Sequence, residues 1–262
     1  MRLVAVGDNC MDVYTNGDIF PGGNSVNVAV YTARLGGSAS YVGFVGTDKN
    51  GKAMIEAVKN KNVDVSCLEI SEGKTAVTQV ELVNGERIFG DYDEGVLENF
   101  KLTEKQKNFI YTHDLVVSGL WGNVHDEFKD FHQHGLITAF DAATSPHHER
   151  IKAVLPYLNY FFYSIEEGND SPELREEMRA FHAKGLKVIV VTMGEHGSIA
   201  FDGTTFTKFG IFPVEVVDTI GAGDSYIAGF LKGILEGKEL KECMEIGART
   251  ASETISYYGS WK

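Results

Sequence analysis

Three observations predict an α/β fold, a three-layer α/β/α sandwich around a mostly parallel, twisted sheet. Short apolar runs at Leu3 to Val6, Asp114 to Ser118, Leu136 to Phe140, Tyr160 to Tyr163 and Lys187 to Val191 are too continuous for strands with one wet face; they suit strands buried on both. Stretches with apolar residues at helical spacing lie between them, which gives the βα alternation of a parallel sheet. One segment departs from this rhythm. Thr75 to Val83 alternates and is β-branched, Asn84-Gly85 is a strong hairpin signal, and Glu86 to Phe89 returns, so a small two-sided β element stands off the main sheet.

The 262 residues carry 43% hydrophobic side chains, an ordinary fraction for a globular chain with a full core, and are expected to form a single domain over 1–262. Net charge is −13 with the acidic residues dispersed, which argues against nucleic acid or an anionic membrane as partner. It does not exclude a nucleotide, because a local amide site and a divalent cation reverse the sign of the field over a few ångströms. Cys10, Cys67 and Cys243 are odd in number and have no CxxC spacing, so neither a disulfide framework nor a zinc site is expected, and the compartment reads as cytosol. No stretch reaches the ~18 apolar residues of a membrane span.

Taken in order, the first strand ends at Gly7-Asp8, and Asp12 lies just beyond it, where open α/β sheets bind ligands, so it is a candidate for holding substrate hydroxyls. Pro21 to Ala29 opens a helix that runs to Gly36-Gly37; the pair Gly22-Gly23 before it allows close approach to backbone. Ser40 to Val45 reads as a strand. After it, Gly46, Gly51 and Lys52 mimic the spacing of a P-loop, but Ala53 stands where a hydroxyl should meet Mg²⁺, so that reading is set aside. Five histidines between His125 and His148 come without HExxH, so catalytic zinc is not expected. Two helices, at about Gly221 to Glu236 and Glu239 to Ser256, close the chain.

The chemistry concentrates at Gly221-Ala222-Gly223-Asp224. The β-branched approach Val214, Val216 and Val217, then two glycines around an alanine, then apolar residues at helical spacing read as strand, tight loop and helix start. First-turn N–H groups lack intrahelical partners and sit at the positive end of the dipole, so this is an anion site. A carboxylate beside it repels the anion unless it takes a proton from something; that is the need of a general base activating an alcohol for phosphoryl transfer. A helix cap is the simpler alternative for Asp224.

The run Asp218 to Tyr226 resembles the DTxGAGDxF signature of the ribokinase-like carbohydrate kinases, the PfkB family, with Tyr226 where Phe is commoner. The resemblance extends from Gly7 to Gly259. It implies an ATP-dependent sugar kinase acting on a primary hydroxyl, with Asp224 as base and Gly221, Ala222 and Gly223 as the anion hole. Gly22, Gly23 and Asn27 match GGxxxN and are implied substrate contacts with Asp12. Thr192, Gly194 and Gly197 match the TLGxxG segment near ATP. Gly46, Asp48 and Gly51 match a structural VGxDxxG run. Of the NxxE motif that acts on Mg²⁺ through water only Glu167 transfers, since Ser164 replaces Asn. A K⁺ ion, where members bind one, would involve Asp218 and the Ile220 carbonyl. The hairpin is implied to be a β lid, built from about residues 10–20 and 72–92, from which Arg87 or Gln79 could reach the sugar and through which a homodimer could form. Runs such as Gly7 to Tyr14, Arg87 to Tyr92 and Tyr258 to Trp261 resemble the branch that phosphorylates the 6-hydroxyl of fructosamines, and a fructokinase or ribokinase-type activity is the main rival. A dinucleotide oxidoreductase would need GxGxxG after the first strand, which is absent. A non-catalytic sugar-binding protein on this fold is weighed down by the retained Asp224.

Overall fold

The structure, a computed structural model, describes residues 2–83, 86–165 and 168–261, and of residues 82, 83, 86 and 87 the backbone alone. In chain order the strands are β1 (Arg2–Val6), β2 (Cys10–Tyr14), β3 (Ile19–Gly22), β4 (Ser38–Val42), β5 (Phe44–Gly46), β6 (Glu69–Ser71), β7 (Val77–Val83), β8 (Glu86–Asp93), β9 (Leu115–Gly119), β10 (Ile137–Asp141), β11 (Tyr160–Ser164), β12 (Val188–Thr192), β13 (Ser198–Phe201) and β14 (Phe206–Phe209). The helices are α1 (Asn24–Arg34), α2 (Lys49–Lys59), α3 (Glu104–Ile110), α4 (Phe128–Gln133), α5 (Ile151–Val154), α6 (Pro172–His182), α7 (Ala222–Leu235) and α8 (Leu240–Thr254).

Eight strands make the central sheet in the order β14-β13-β12-β11-β10-β9-β1-β4, parallel from β12 to β4. The last two strands, β13 and β14, are antiparallel. Alternation within β1 explains the layers: Val4 and Val6 pack with α3, α4, α5 and α6, whereas Leu3 and Ala5 pack with α1, α2, α7 and α8. All four side chains are fully buried, as a continuous apolar strand requires when both faces are covered. β1 pairs with β4 on one side and β9 on the other, so the chain reverses its winding there and opens a crevice at the carboxyl ends of these strands.

A second sheet, β3-β2-β7-β8, has β2 and β7 parallel and the outer pairs antiparallel, with a bulge in β7 between Thr78 and Val80. The Asn84-Gly85 turn lies outside the described residues. Two expectations need correction. Ser40 to Val45 is two strands divided at Gly43, where a Cβ would lie 2.3 Å from the Tyr41 hydroxyl; β5 then leaves to pair with β6. Val214, Val216 and Val217 form no strand: the segment is irregular and these valines are exposed, because β14 already closes the sheet edge and the chain must cross to α7. The P-loop mimic is structural, since Asp48 caps α2 at Gly51 and also accepts from the Thr75 hydroxyl at 2.6 Å. No described helix is long and apolar enough to cross a membrane.

Candidate active site

The crevice gathers three carboxylates, each at the end of a parallel strand or the start of a helix. Asp8 follows β1 and accepts from the Asn24 backbone N–H at 2.8 Å, and from the Ser25 hydroxyl at 3.2 Å, so it caps α1 from outside that helix. Gly23, at φ 108°, makes this entry possible; any Cβ there would lie 2.6 Å from Asn9 Cα. Asp141 ends β10 and accepts from the Ala143 N–H at 2.9 Å. Asp224 sits in the first turn of α7.

Asn24 ties two of them together. Its Nδ2 donates to Asp141 Oδ2 at 2.7 Å and to Asp224 Oδ1 at 2.6 Å. The other oxygen of Asp224 accepts from Asn27 Nδ2 at 2.7 Å, and Asn27 Oδ1 accepts from the indole of Trp261 at 2.7 Å. An indole N–H can only donate, so it settles which end of the Asn27 amide faces the carboxylate. Both oxygens of Asp224 are thereby aimed. Electrostatics set its proton affinity. Burial, then the charges of Asp141 and Asp8, push Asp224 up to about 8 against the amide hydrogen bonds. Burial raises Asp141 to about 6 and also moves Asp8 upward.

The loop before α7 is anchored from beneath. Asp218 is fully buried and accepts from the N–H groups of Ile220 at 3.0 Å and Gly259 at 2.9 Å, and from the Tyr14 hydroxyl at 3.3 Å. These bonds deliver Gly221 as a left-handed N-cap, φ 71°. Ala222 N–H already donates to Thr219 O at 3.2 Å, so Gly223 and Asp224 carry the freer end of the dipole. Apart from its chain neighbours and the backbone of α7 itself, no atom lies within 4 Å of a Cβ built on exposed Gly223. The segment after α8 is threaded beside this loop: Tyr31 donates to the Ser260 carbonyl, and Trp261 reaches Asn27.

Asp12 is buried on β2 beneath Gly22, where a Cβ would lie 2.3 Å from Asp12 Oδ2, so Gly22 leaves that carboxylate its room. Thr192 ends β12, and its hydroxyl bonds Ser164 Oγ at 2.6 Å, so the serine standing where Asn was expected is tied to the β12 end. Gly194 and Gly197, φ 53° and 80°, make the β12–β13 turn. A Cβ on Gly197 would strike the Phe209 carbonyl at 2.2 Å. Tyr226 donates to Ser198 Oγ at 2.8 Å and so docks that turn on α7, which gives the replacement of Phe by Tyr a physical use. Thus the fold brings Asp224, Asn27 and Asn24 into contact, and sets Asp12 with Gly22, and Thr192 with the α7 start through Ser198. The side chain of Arg87 and all of Glu167 lie outside the described residues, and Gln79, at the bulge, is exposed.

Asp8, Asn24, Asp141 and Trp261 were not among the sequence candidates. The first and third had a signal, because each follows a buried parallel strand. Trp261 had none, being 234 positions from its partner. Among the described residues no group of three histidines, cysteines or carboxylates forms a metal cage.

The chain is similar to known carbohydrate kinases along nearly its whole length. The chain is 40% identical over 260 residues to the fructoselysine 6-kinase of Shigella flexneri, covering 99% of both. It is 32% identical over 267 residues to the fructosamine kinase FrlD of Bacillus subtilis, covering 100% of this chain and 93% of that one. The ribokinase of Arabidopsis thaliana, solved with ribose and ATP, superposes with a TM-score of 0.85 at 22% identity, over 99% of this chain and 94% of its own. The fold is therefore ribokinase-like. Residues 9–261 match the pfkB family of carbohydrate kinases, and the chain belongs to that family as a carbohydrate kinase.

Proposed function

We propose that this kinase transfers the γ-phosphate of ATP to the 6-hydroxyl of fructoselysine or a related fructosamine. The observation that carries the chemistry is Asp224: a carboxylate at a helix N-terminus, aimed through both oxygens and with its proton affinity raised to about 8. A base so tuned holds a proton well enough to take one from an attacking alcohol near neutral pH. The 6-oxygen attacks the γ-phosphorus as its proton passes to Asp224, the bond from phosphorus to the bridging oxygen breaks, and ADP leaves. Amides of Gly221, Ala222 and Gly223 are proposed to face the charge on the transferring group, Gly223 first, since the Ala222 N–H is already engaged by the Thr219 carbonyl. Asp12, Gly22, Gly23 and Asn27 hold the sugar, and Arg87 is a further candidate. Thr192, Gly194 and Gly197 border the nucleotide, and the exposed run Ile211, Val214 and Val216 offers an apolar edge for its base.

Mg²⁺ would arrive with the phosphates and neutralise charge there. The crowded carboxylates Asp8, Asp141 and Asp224 would supply a negative field for it, with Glu167 proposed to act through water. Asp218 and the Ile220 carbonyl are proposed for K⁺. Exchanging Na⁺ for K⁺ should then raise the rate, and equal rates would remove that site. The second sheet is proposed as the lid over the sugar. Its exposed Ile19, Ile88 and Phe89 are the surface a second copy would cover in a homodimer. The three free cysteines are all buried, which suits a cytosolic enzyme.

The substrate reading is supported by the likeness to enzymes named for fructoselysine and fructosamine. It is tested by incubating the protein with MgATP and fructoselysine and locating the new phosphate by ¹H–³¹P NMR. Coupling to the C6 protons is expected; phosphate on any other carbon would remove the 6-hydroxyl from the account.

A further inference from the structure

Beyond the phosphoryl-transfer site, the same crevice carries an acid and a base that the reaction does not use. We infer that Glu94 and Arg150, spaced by Asn123, bind the α-ammonium and α-carboxylate at the amino-acid end of the substrate; this rests on the fructosamine reading above.

The placement follows from the winding of the sheet. The loops after β1 and β9 flank the reversal point and touch each other: a Cβ on Gly7 would lie 2.5 Å from Gly122 Cα. On the β1 side the next residue is Asp8, which reaches Asp224 by way of Asn24. On the β9 side the next residue is Asn123, left-handed at φ 52°. Its Nδ2 donates to the Leu97 carbonyl at 3.0 Å and lies 3.4 Å from Glu94 Oε2, and its Oδ1 accepts from Arg150 Nη1 at 3.2 Å. One fixed amide therefore holds a carboxylate on one side and a guanidinium on the other. Neither is in an ion pair among the described residues.

An unneutralised acid and base a short span apart are complementary to a zwitterion, and an α-amino acid is one. The guanidinium fork suits a carboxylate and the single carboxylate suits an ammonium. Tyr92, two residues before Glu94, ties this pair to the sugar end through the second sheet, because it pairs with Thr78 of β7 and Thr78 pairs with Asp12 of β2. His125 stays neutral beside Arg150, held down at about 4 by burial and by that guanidinium, so Arg150 is the cation of the subsite. The reacting hydroxyl and the amino acid lie at opposite ends of fructoselysine. The Asp8 loop leads through Asn24 to Asp224 and the adjoining Asn123 loop leads to this pair, which matches that polarity.

The test compares kcat/KM for fructoselysine and for 1-deoxy-1-pentylaminofructose, the same fructosamine without its α-amino acid. The wild type should prefer fructoselysine by tenfold or more. Arg150→Ala and Glu94→Gln should each narrow that preference about tenfold, and Arg150→Lys should restore part of it, as a point charge without the fork. A purely structural role would lower thermal stability and leave the preference unchanged in both variants, which overturns the proposal. Equal use of the two fructosamines by the wild type overturns the subsite alone. Phosphorylation of fructose but of neither fructosamine overturns the substrate reading and the subsite with it.

Discussion

Asp224→Asn should lower kcat by about 10² to 10⁴, the usual weight of a positioned general base, with little change in ATP affinity. The variant keeps the size of the side chain but replaces one accepting oxygen by an NH₂ that faces a donor, Asn24 or Asn27, so ATP affinity is measured beside kcat to separate the lost proton acceptor from a displaced side chain. Near-normal turnover would show that another group takes the proton. The same substitution should stabilise the fold at alkaline pH. The folded Asp224 carboxyl lies above its ordinary value, so its contribution to stability is full below about pH 4 and is lost as pH rises through about 8. Asp141, raised to about 6, adds loss in the lower part of that window. Removing the charge of Asp224 should therefore raise Tm at pH 8.5 and change it little at pH 4. In the wild type kcat/KM should climb with pH toward about 8 as the base ionises. A flat profile across pH 6 to 8 would place the proton acceptor elsewhere. Stability and activity are thus expected to oppose each other at this residue, where a partly buried carboxylate must ionise to act as a base.

Much of this was legible in the sequence, for reasons that can be named. Strands β1, β9, β10, β11 and β12 are buried on both faces, and a run such as Leu3 to Val6 has few other stable uses. The loop and helix start at Gly221 to Asp224 were legible because glycines before an apolar helical pattern mark a tight entry into a helix. What escaped depended on partners distant in the chain. Phe206 to Phe209 is a half-exposed antiparallel edge without the continuous apolar pattern of its neighbours. Val214 to Val217 has strand-like composition, but the sheet edge it would need is taken by β14, and tertiary context overrode propensity. The α6 start was available in principle, since Ser171 caps Leu174 and Pro172 opens the first turn. The aiming of Asp224 was not. It depends on Asn24 donating to two carboxylates at once and on Trp261 fixing Asn27, and neither relation leaves a local pattern.

The substrate is where the account commits furthest. Fructoselysine adds a secondary ammonium, an aliphatic chain and an α-amino acid to the sugar, whereas fructose offers hydroxyls alone. A crevice that holds polar and charged groups for those additions leaves them unpaired when they are missing, and such sites discriminate strongly. The most direct measurement is a coupled ADP-release assay giving kcat/KM for fructoselysine, fructose and ribose under identical MgATP and K⁺. The account predicts that fructoselysine leads both sugars by about 10² or more. A value for fructose or ribose equal to or above that for fructoselysine would contradict it.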